Sequence, residues 1–307
     1  MKTVVLAAGY ATRLYPLTEN FPKPLLEIGS STILGRMLDD IDGIPEVSEH
    51  IVVSNGKFAP VFEQWASERG SRVSDSETSA SLHPSQPSAG PLPFTRPRAA
   101  TVSESDTREP LKNHPAEDSE PDTTTPEVFR KPQSLRKPVR VLSDETFTNE
   151  TRLGAVRDLL LAIEKFSLDE DLLVLAADNI LDFSLKGFVE EFRKKGTSMI
   201  MCHYEPEIYK LQRTGVIEVD DDMKVLQMQE KPQEPVSHWA VPPFYIYRRE
   251  DLPLIKGAIE GGCGFDAPGN LAHYLVDRTE IHAWKMPAGR FDIGSLDTYE
   301  QAKIKYQ

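Results

Sequence analysis

The 307-residue chain predicts an α/β fold built on a Rossmann-like, doubly wound, mostly parallel sheet. Three observations predict it. Short apolar runs rich in β-formers alternate along the chain with stretches of helical periodicity. The first run, Val4-Val5-Leu6-Ala7-Ala8, stops at Gly9, where a missing Cβ lets the backbone turn tightly and approach a ligand. A later run over 171–177 ends at Asp178, which puts a carboxylate at the carboxyl edge of a buried strand, where open parallel sheets gather their ligands.

The elements follow in order. After the first strand the pattern predicts a helix over 32–42, a strand over 50–54 and a helix over 58–69. Periodicity then fails. Residues 71–138 are rich in Ser and Thr and hold eleven of the 24 prolines. Such a segment cannot bury enough apolar area to offset its ordering entropy, so it reads as a disordered insertion. One domain made of 1–70 and 139–307 remains. A neutral expansion suffices for the insertion, since closure cost grows only logarithmically with length. A regulatory reading would use Thr125-Pro126 and the Ser-rich stretch 74–81 as phosphate acceptors, and Arg130, Lys131, Arg136 and Lys137 as an anion site.

Order resumes with a strand at 139–142 and an amphipathic helix running to Lys165 from near Arg152, with Thr148, Asn149 and Glu150 as caps. Helices are expected at 185–195 and 252–260, from 266 to 276 and from Ser295 onward. Strands are expected at 197–203, 215–219, 224–228, 244–247 and 280–284, with an antiparallel excursion over 215–247. The apolar strand at 244–247 could meet a second copy of the chain in a homo-oligomer.

Small residues at Ala7, Ala8, Gly9 and Ala11 leave main-chain N–H groups free to face phosphate oxygens. Thr12 adds a hydroxyl, Arg13 a planar fork of donors and Lys23, about ten residues on, a compact charge. A polyanion such as a triphosphate is the expected guest. Neither the Walker pattern nor the dinucleotide fingerprint is present. Asp178 and Asp292, in Phe291-Asp292-Ile293-Gly294, suit magnesium, which keeps several waters and shares its coordination with phosphates. Each also has a plainer reading, Asp178 as a cap and Asp292 as an Asx turn. Glu230-Lys231-Pro232 taken alone would be an exposed charge pair of little energetic weight.

The stretch Leu6-Ala-Ala-Gly-Tyr-Ala-Thr-Arg-Leu-Tyr-Pro-Leu-Thr18, followed by Phe21-Pro-Lys-Pro-Leu-Leu26, resembles the signature of the sugar-phosphate nucleotidylyltransferases, which make nucleotide sugars. Ala11 stands where the family pattern Gly-x-Gly-Thr-Arg has its second glycine, and Ala177 replaces a glycine before Asp178. If position 11 needs a positive φ, alanine there costs about 1 kcal/mol. The resemblance spans the chain apart from the insertion and implies the nucleotide-diphospho-sugar transferase fold.

It also implies roles. Ala7, Gly9, Ala11, Thr12, Arg13 and Gly154 would bind the nucleotide, Gly154 receiving base and ribose with Asn55 nearby. Gly215, Glu230 and Lys231 would bind the sugar phosphate. Asp178 and Asp292 would hold Mg2+, and Arg13, Lys23 and Asp178 would be catalytic. A phosphate oxygen of a sugar 1-phosphate would attack the α-phosphorus of a nucleoside triphosphate in line and expel pyrophosphate. The alternative is a non-catalytic relative of the same fold that senses nucleotide sugars or assists an active partner as a regulatory subunit. A third reading keeps the reaction class but uses another phosphorylated acceptor, such as phosphocholine.

A net charge of −13 argues against nucleic acid and acidic membranes as partners. Two cysteines give no disulfide framework, and no apolar run of membrane-spanning length or signal-peptide pattern occurs, so a cytoplasmic location is expected. No hexapeptide repeat is present, so one reaction only is expected.

Overall fold

Strand β1 (Lys2–Leu6) lies inside the sheet, and its alternation shows why: Val4 and Val5 are both fully buried but belong to different apolar layers. The computed structural model describes residues 1–71 and 136–307. A small hairpin of β2 (Glu27–Ile28) and β3 (Ser31–Thr32) leads into α1 (Ile33–Ile41), whose Thr32 cap accepts from the Gly35 N–H at 2.9 Å. Next come β4 (Glu49–Ser54), α2 (Ala59–Ser71), β5 (Val139–Ser143), α3 (Ala155–Lys165), β6 (Leu172–Ala176) and β7 (Asn179–Leu181). Then follow α4 (Lys186–Lys195), β8 (Ser198–Tyr204), α5 (Ile208–Leu211), β9 (Gly215–Val219), β10 (Val225–Glu230), β11 (Trp239–Val241) and β12 (Phe244–Tyr247). The chain closes with α6 (Leu252–Lys256), α7 (Pro268–Val276), β13 (Ile281–Lys285), β14 (Arg290–Asp292) and α8 (Leu296–Lys305).

Ten strands form the main sheet in the order β10-β9-β11-β8-β12-β6-β1-β4-β5, with β13 added beside β8. Strands β5, β4, β1 and β6 are mutually parallel, and β13 is parallel to β8. Antiparallel pairing over β9–β12 is the excursion expected at 215–247. One layer packs α3 and α7 on the sheet through Val156, Leu159, Ile163, Leu271 and Leu275; the other packs α1, α2 and α4 through Leu34, Leu38, Phe62, Phe188 and Val189. Helices on both faces make the sheet doubly wound. A third, smaller core joins Leu14, Leu26 and Ile28 to Ile180, Ile293 and Tyr299, so α8 and β14 fold back onto the N-terminal turn. Among the described residues no helix is long and apolar enough to cross a membrane.

Several expectations are corrected. The strand at 244–247 is not a surface for a second copy: every residue of β12 is buried, paired with β6 on one side and β8 on the other. An apolar run fits an interior strand as well as an exposed one, and here two neighbours cover it. Thr148, Asn149 and Glu150 do not cap α3. Its first N–H groups, of Ala155 and Val156, donate to the carbonyls of Asp266 and Phe265, more than a hundred residues away. Helix α6 stops at Lys256 rather than at 260, as the chain tightens into the turns of Gly257 and Ala258.

Most of the insertion, including Thr125, Pro126, Arg130, Lys131 and the stretch 74–81, lies outside the described residues. Its stems do not. Arg69, near the end of α2, reaches the buried Asp42 carboxylate at 2.7 Å, and the main-chain N–H of Lys137 donates to the same group at 3.0 Å. His50 is its third partner, at 2.9 Å. Arg136 donates to the Arg69 carbonyl. Arg136 and Lys137 thus bind carboxylate and carbonyl oxygens of α1, α2 and the turn after α1. The hub sits where β4 and β5 begin, at the edge opposite Gly9 and Asp178.

One buried carboxyl is left without compensation. Asp158 of α3 is 5% exposed, and its Oδ1 has no hydrogen-bond partner. Burial first, and the Asp144 carboxylate second, push it from 3.8 up to about 7. The folded state then keeps a proton that the unfolded chain loses above about pH 4, so stability falls as pH rises from there through 7. Asp158→Asn is expected to be close to neutral at pH 4 and to stabilise the fold by roughly 4 kcal/mol at pH 8. Urea denaturation at the two pH values measures the difference.

Candidate active site

The carboxyl ends of β1 and β6 open into a cleft of about 170 Å³ lined by Ala7, Gly9, Ala11, Arg13, Lys23, Ala177, Asp178 and Gly294, among others. Six of the predicted site residues therefore share one wall. A Cβ placed on Gly9 or Gly294 would meet nothing within 4 Å, so the backbone faces open space at both. Arg13 is exposed and makes no hydrogen bond or ion pair among the described residues. Thr12 is exposed beside it, opening a short 3-10 turn.

Ala11 does carry a positive φ, at φ 47° and ψ 42°. It is held there from both sides: its carbonyl accepts from the Thr18 hydroxyl at 2.8 Å and from the Leu14 N–H at 2.9 Å. Alanine at this position carries the strain that a glycine would avoid.

Lys23 is 8% exposed and places Nζ 2.9 Å from Asp178 Oδ2. The other carboxylate oxygen accepts from Asn179 Nδ2 at 2.8 Å, and Asn179 Oδ1 accepts from Arg290 at 2.6 Å. Both oxygens of Asp178 are thus oriented. Sequence reasoning missed Asn179 and Arg290, because an Asn after an Asp and an isolated Arg carry no spacing signal.

Asp292 arrives by strand pairing. β14 runs antiparallel to β7 with Asp292 opposite Asn179, and the Ile293 N–H donates to the Asp178 carbonyl at 3.1 Å. The pKa of Asp292 is raised by desolvation and by the like charge of Asp178, against Lys23, Arg290 and Arg13. Two adjacent oxygen-donor carboxylates fit a hard divalent cation that takes its other ligands from water and phosphate. Among the described residues no set of three or more His, Cys, Asp or Glu side chains forms a closed metal cage.

The remaining predicted residues do not line this cleft. Gly154 has φ 92°, and a Cβ there would fall 2.6 Å from the Phe265 carbonyl oxygen, so glycine is needed for the chain's own packing. Gly215 and Glu230 face each other across the β9–β10 pair. Lys231 follows at φ 49°, a left-handed conformation uncommon for lysine, with an exposed side chain. A larger recess of about 320 Å³ opens beside α1 and α8 and contains none of the predicted residues.

An open glycine turn, a buried lysine and neighbouring carboxylates at the carboxyl edge of a doubly wound sheet mark an α/β protein that binds its ligand at that edge. A model of the nucleotidyl transferase family matches residues 2–88 and 124–307, and the chain belongs to that family. It is 21% identical over 317 residues to UTP–glucose-1-phosphate uridylyltransferase AglF of Haloferax volcanii, covering 100% of this chain and 97% of that protein. A 46-residue match to the bifunctional protein GlmU of Methanococcus aeolicus is 52% identical, and covers 15% of this chain and 11% of that one. A solved UDP-glucose pyrophosphorylase in complex with UDP-glucose superposes with TM-score 0.66 at 16% identity, covering 99% of this chain and 97% of that one. At that identity the likeness establishes the fold.

Ala11→Gly is expected to raise stability by about 0.5–1 kcal/mol, the relief of left-handed strain less the entropy of the unfolded glycine. Thermal unfolding of the two proteins side by side measures it.

Proposed function

We propose that the protein is a sugar-1-phosphate nucleotidylyltransferase that transfers a nucleoside monophosphate from a nucleoside triphosphate to a sugar 1-phosphate and releases pyrophosphate. The observation that carries this reading is the convergence of Arg13, Lys23 and Asp178 on one cleft beside the open backbone at Gly9. UTP and glucose 1-phosphate are the first pair to test, since relatives and structural neighbours of this chain are named for that chemistry.

Both substrates are anions, so the chain's main task is to hold them together against their repulsion. Arg13, Thr12 and the main-chain N–H groups from Ala7 to Ala11 hold the phosphates that leave as pyrophosphate. Lys23 neutralises charge near the attacked phosphorus. Gly154 marks the nucleoside end at the start of α3. Glu230 accepts from sugar hydroxyls beside Gly215, and Lys231 seats the sugar phosphate. Residues 1–70 and 139–307 together form the catalytic domain.

Magnesium fits Asp178 and Asp292, and when bound it would neutralise phosphate oxygens as a Lewis acid. Lys23 already supplies one positive charge to Asp178, which lets two carboxylates lie side by side in the free protein.

Pyrophosphate release is measured with magnesium, each nucleoside triphosphate and a panel of sugar 1-phosphates plus phosphocholine. Release that needs one pair is the expected result. Lys23→Ala is expected to lower kcat by about a hundredfold or more, and Asp178→Ala to abolish release. Nucleotide binding without release for any acceptor would replace this reading with a non-catalytic nucleotide sensor.

A further inference from the structure

Glu230 closes β10 with its side chain 16% exposed, and no donor among the described residues hydrogen-bonds to its carboxylate. Lys231 Nζ is its only ion-pair partner among the described residues, 3.8 Å from Oε1. A desolvated acceptor without a donor is costly unless a ligand supplies one. One glycine makes room for it. A Cβ on Gly215 would lie 3.4 Å from Glu230 Oε2, an ordinary contact, but a Cβ on Gly269 would lie 1.9 Å from Oε2 and 2.9 Å from Cδ.

Gly269 is the second residue of α7. Its backbone is not in the positive-φ region, so no turn requires glycine there. Inside a helix a glycine costs up to about 1 kcal/mol against alanine. Helix formation therefore does not account for it, and the space taken by the Glu230 carboxylate does.

The segment before α7 cannot back away to admit a side chain. The Phe265 and Asp266 carbonyls accept from Val156 and Ala155 of α3 at 3.0 and 3.2 Å, and Arg152 pairs with Asp266 at 2.9 Å. Glu230, by contrast, is met at the far end of a flexible side chain. A methyl group at 269 would displace the carboxylate and leave the helix in place.

We propose that Gly269 is a positioning residue for the sugar 1-phosphate: it yields its side-chain volume to Glu230 and so sets where that carboxylate meets the sugar hydroxyls. This rests on the nucleotidylyltransferase reading. Pyrophosphate release with UTP and glucose 1-phosphate, or with the pair that the panel selects, tests it.

Gly269→Ala is expected to raise KM for the sugar 1-phosphate by about tenfold, with KM for the nucleotide within about twofold and an unchanged or higher Tm. In a Glu230→Ala background, adding Gly269→Ala is expected to change KM by less than about twofold, since the carboxylate is gone and the Met228 methyl, 3.2 Å from the new Cβ, has only a few tenths of an ångström to give. Wild-type kinetics in Gly269→Ala, or an equal further loss in the Glu230→Ala background, would overturn the assignment while leaving the enzymatic reading intact. No release by the wild type with any pair would overturn both.

Discussion

The contact between Lys23 and Asp178 is the interaction on which the cleft depends. It joins the N-terminal turn to the end of β6 across 155 positions of sequence. A lysine so nearly buried needs a counter-charge, because desolvating an unpaired ammonium costs several kcal/mol. Asp178 supplies that charge and is itself fixed through Asn179 and Arg290. The ammonium group is thus held in place without a ligand, as the charge-stabilising role proposed for it requires.

Around that contact the chain closes on itself. The small core of Leu14, Ile28, Ile180, Ile293 and Tyr299 brings residues from both ends of the sequence under the N-terminal turn. The Tyr299 hydroxyl donates to the Glu27 carbonyl at 2.8 Å, and Arg36 donates to the Tyr306 carbonyl at 2.9 Å. Packing of α8 therefore holds Asp292 against Asp178. Of the five non-glycine residues with positive φ among the described residues, two, Ala11 and Lys231, fall at proposed substrate contacts. Backbone strain persists where surrounding structure over-determines it, and such places are commonly functional.

Much of this was legible in the residue order. The shared cleft announces itself through Gly9, Arg13 and Lys23, and strand-end placement of Asp178 follows from the apolar run before it. What stayed hidden depends on distant partners. Nothing near Thr148 or Gly154 tells that the start of α3 is satisfied by carbonyls of Phe265 and Asp266. The apolar composition of β12 says that it is buried without saying which strands bury it. Gly269 looks like a helix-opening residue until the Glu230 carboxylate is found in the space beside it. Local propensity reads one segment at a time, whereas these features belong to pairs of segments.

The stems of the long insertion leave the sheet at the edge remote from Gly9 and Asp178, and the Asp42 carboxylate ties them together through Arg69 and Lys137. The two ends are thus fixed to the body of the protein by contacts of their own. For the protein engineer this edge is an attachment port: ends that are already anchored are where a fluorescent or affinity domain is best spliced.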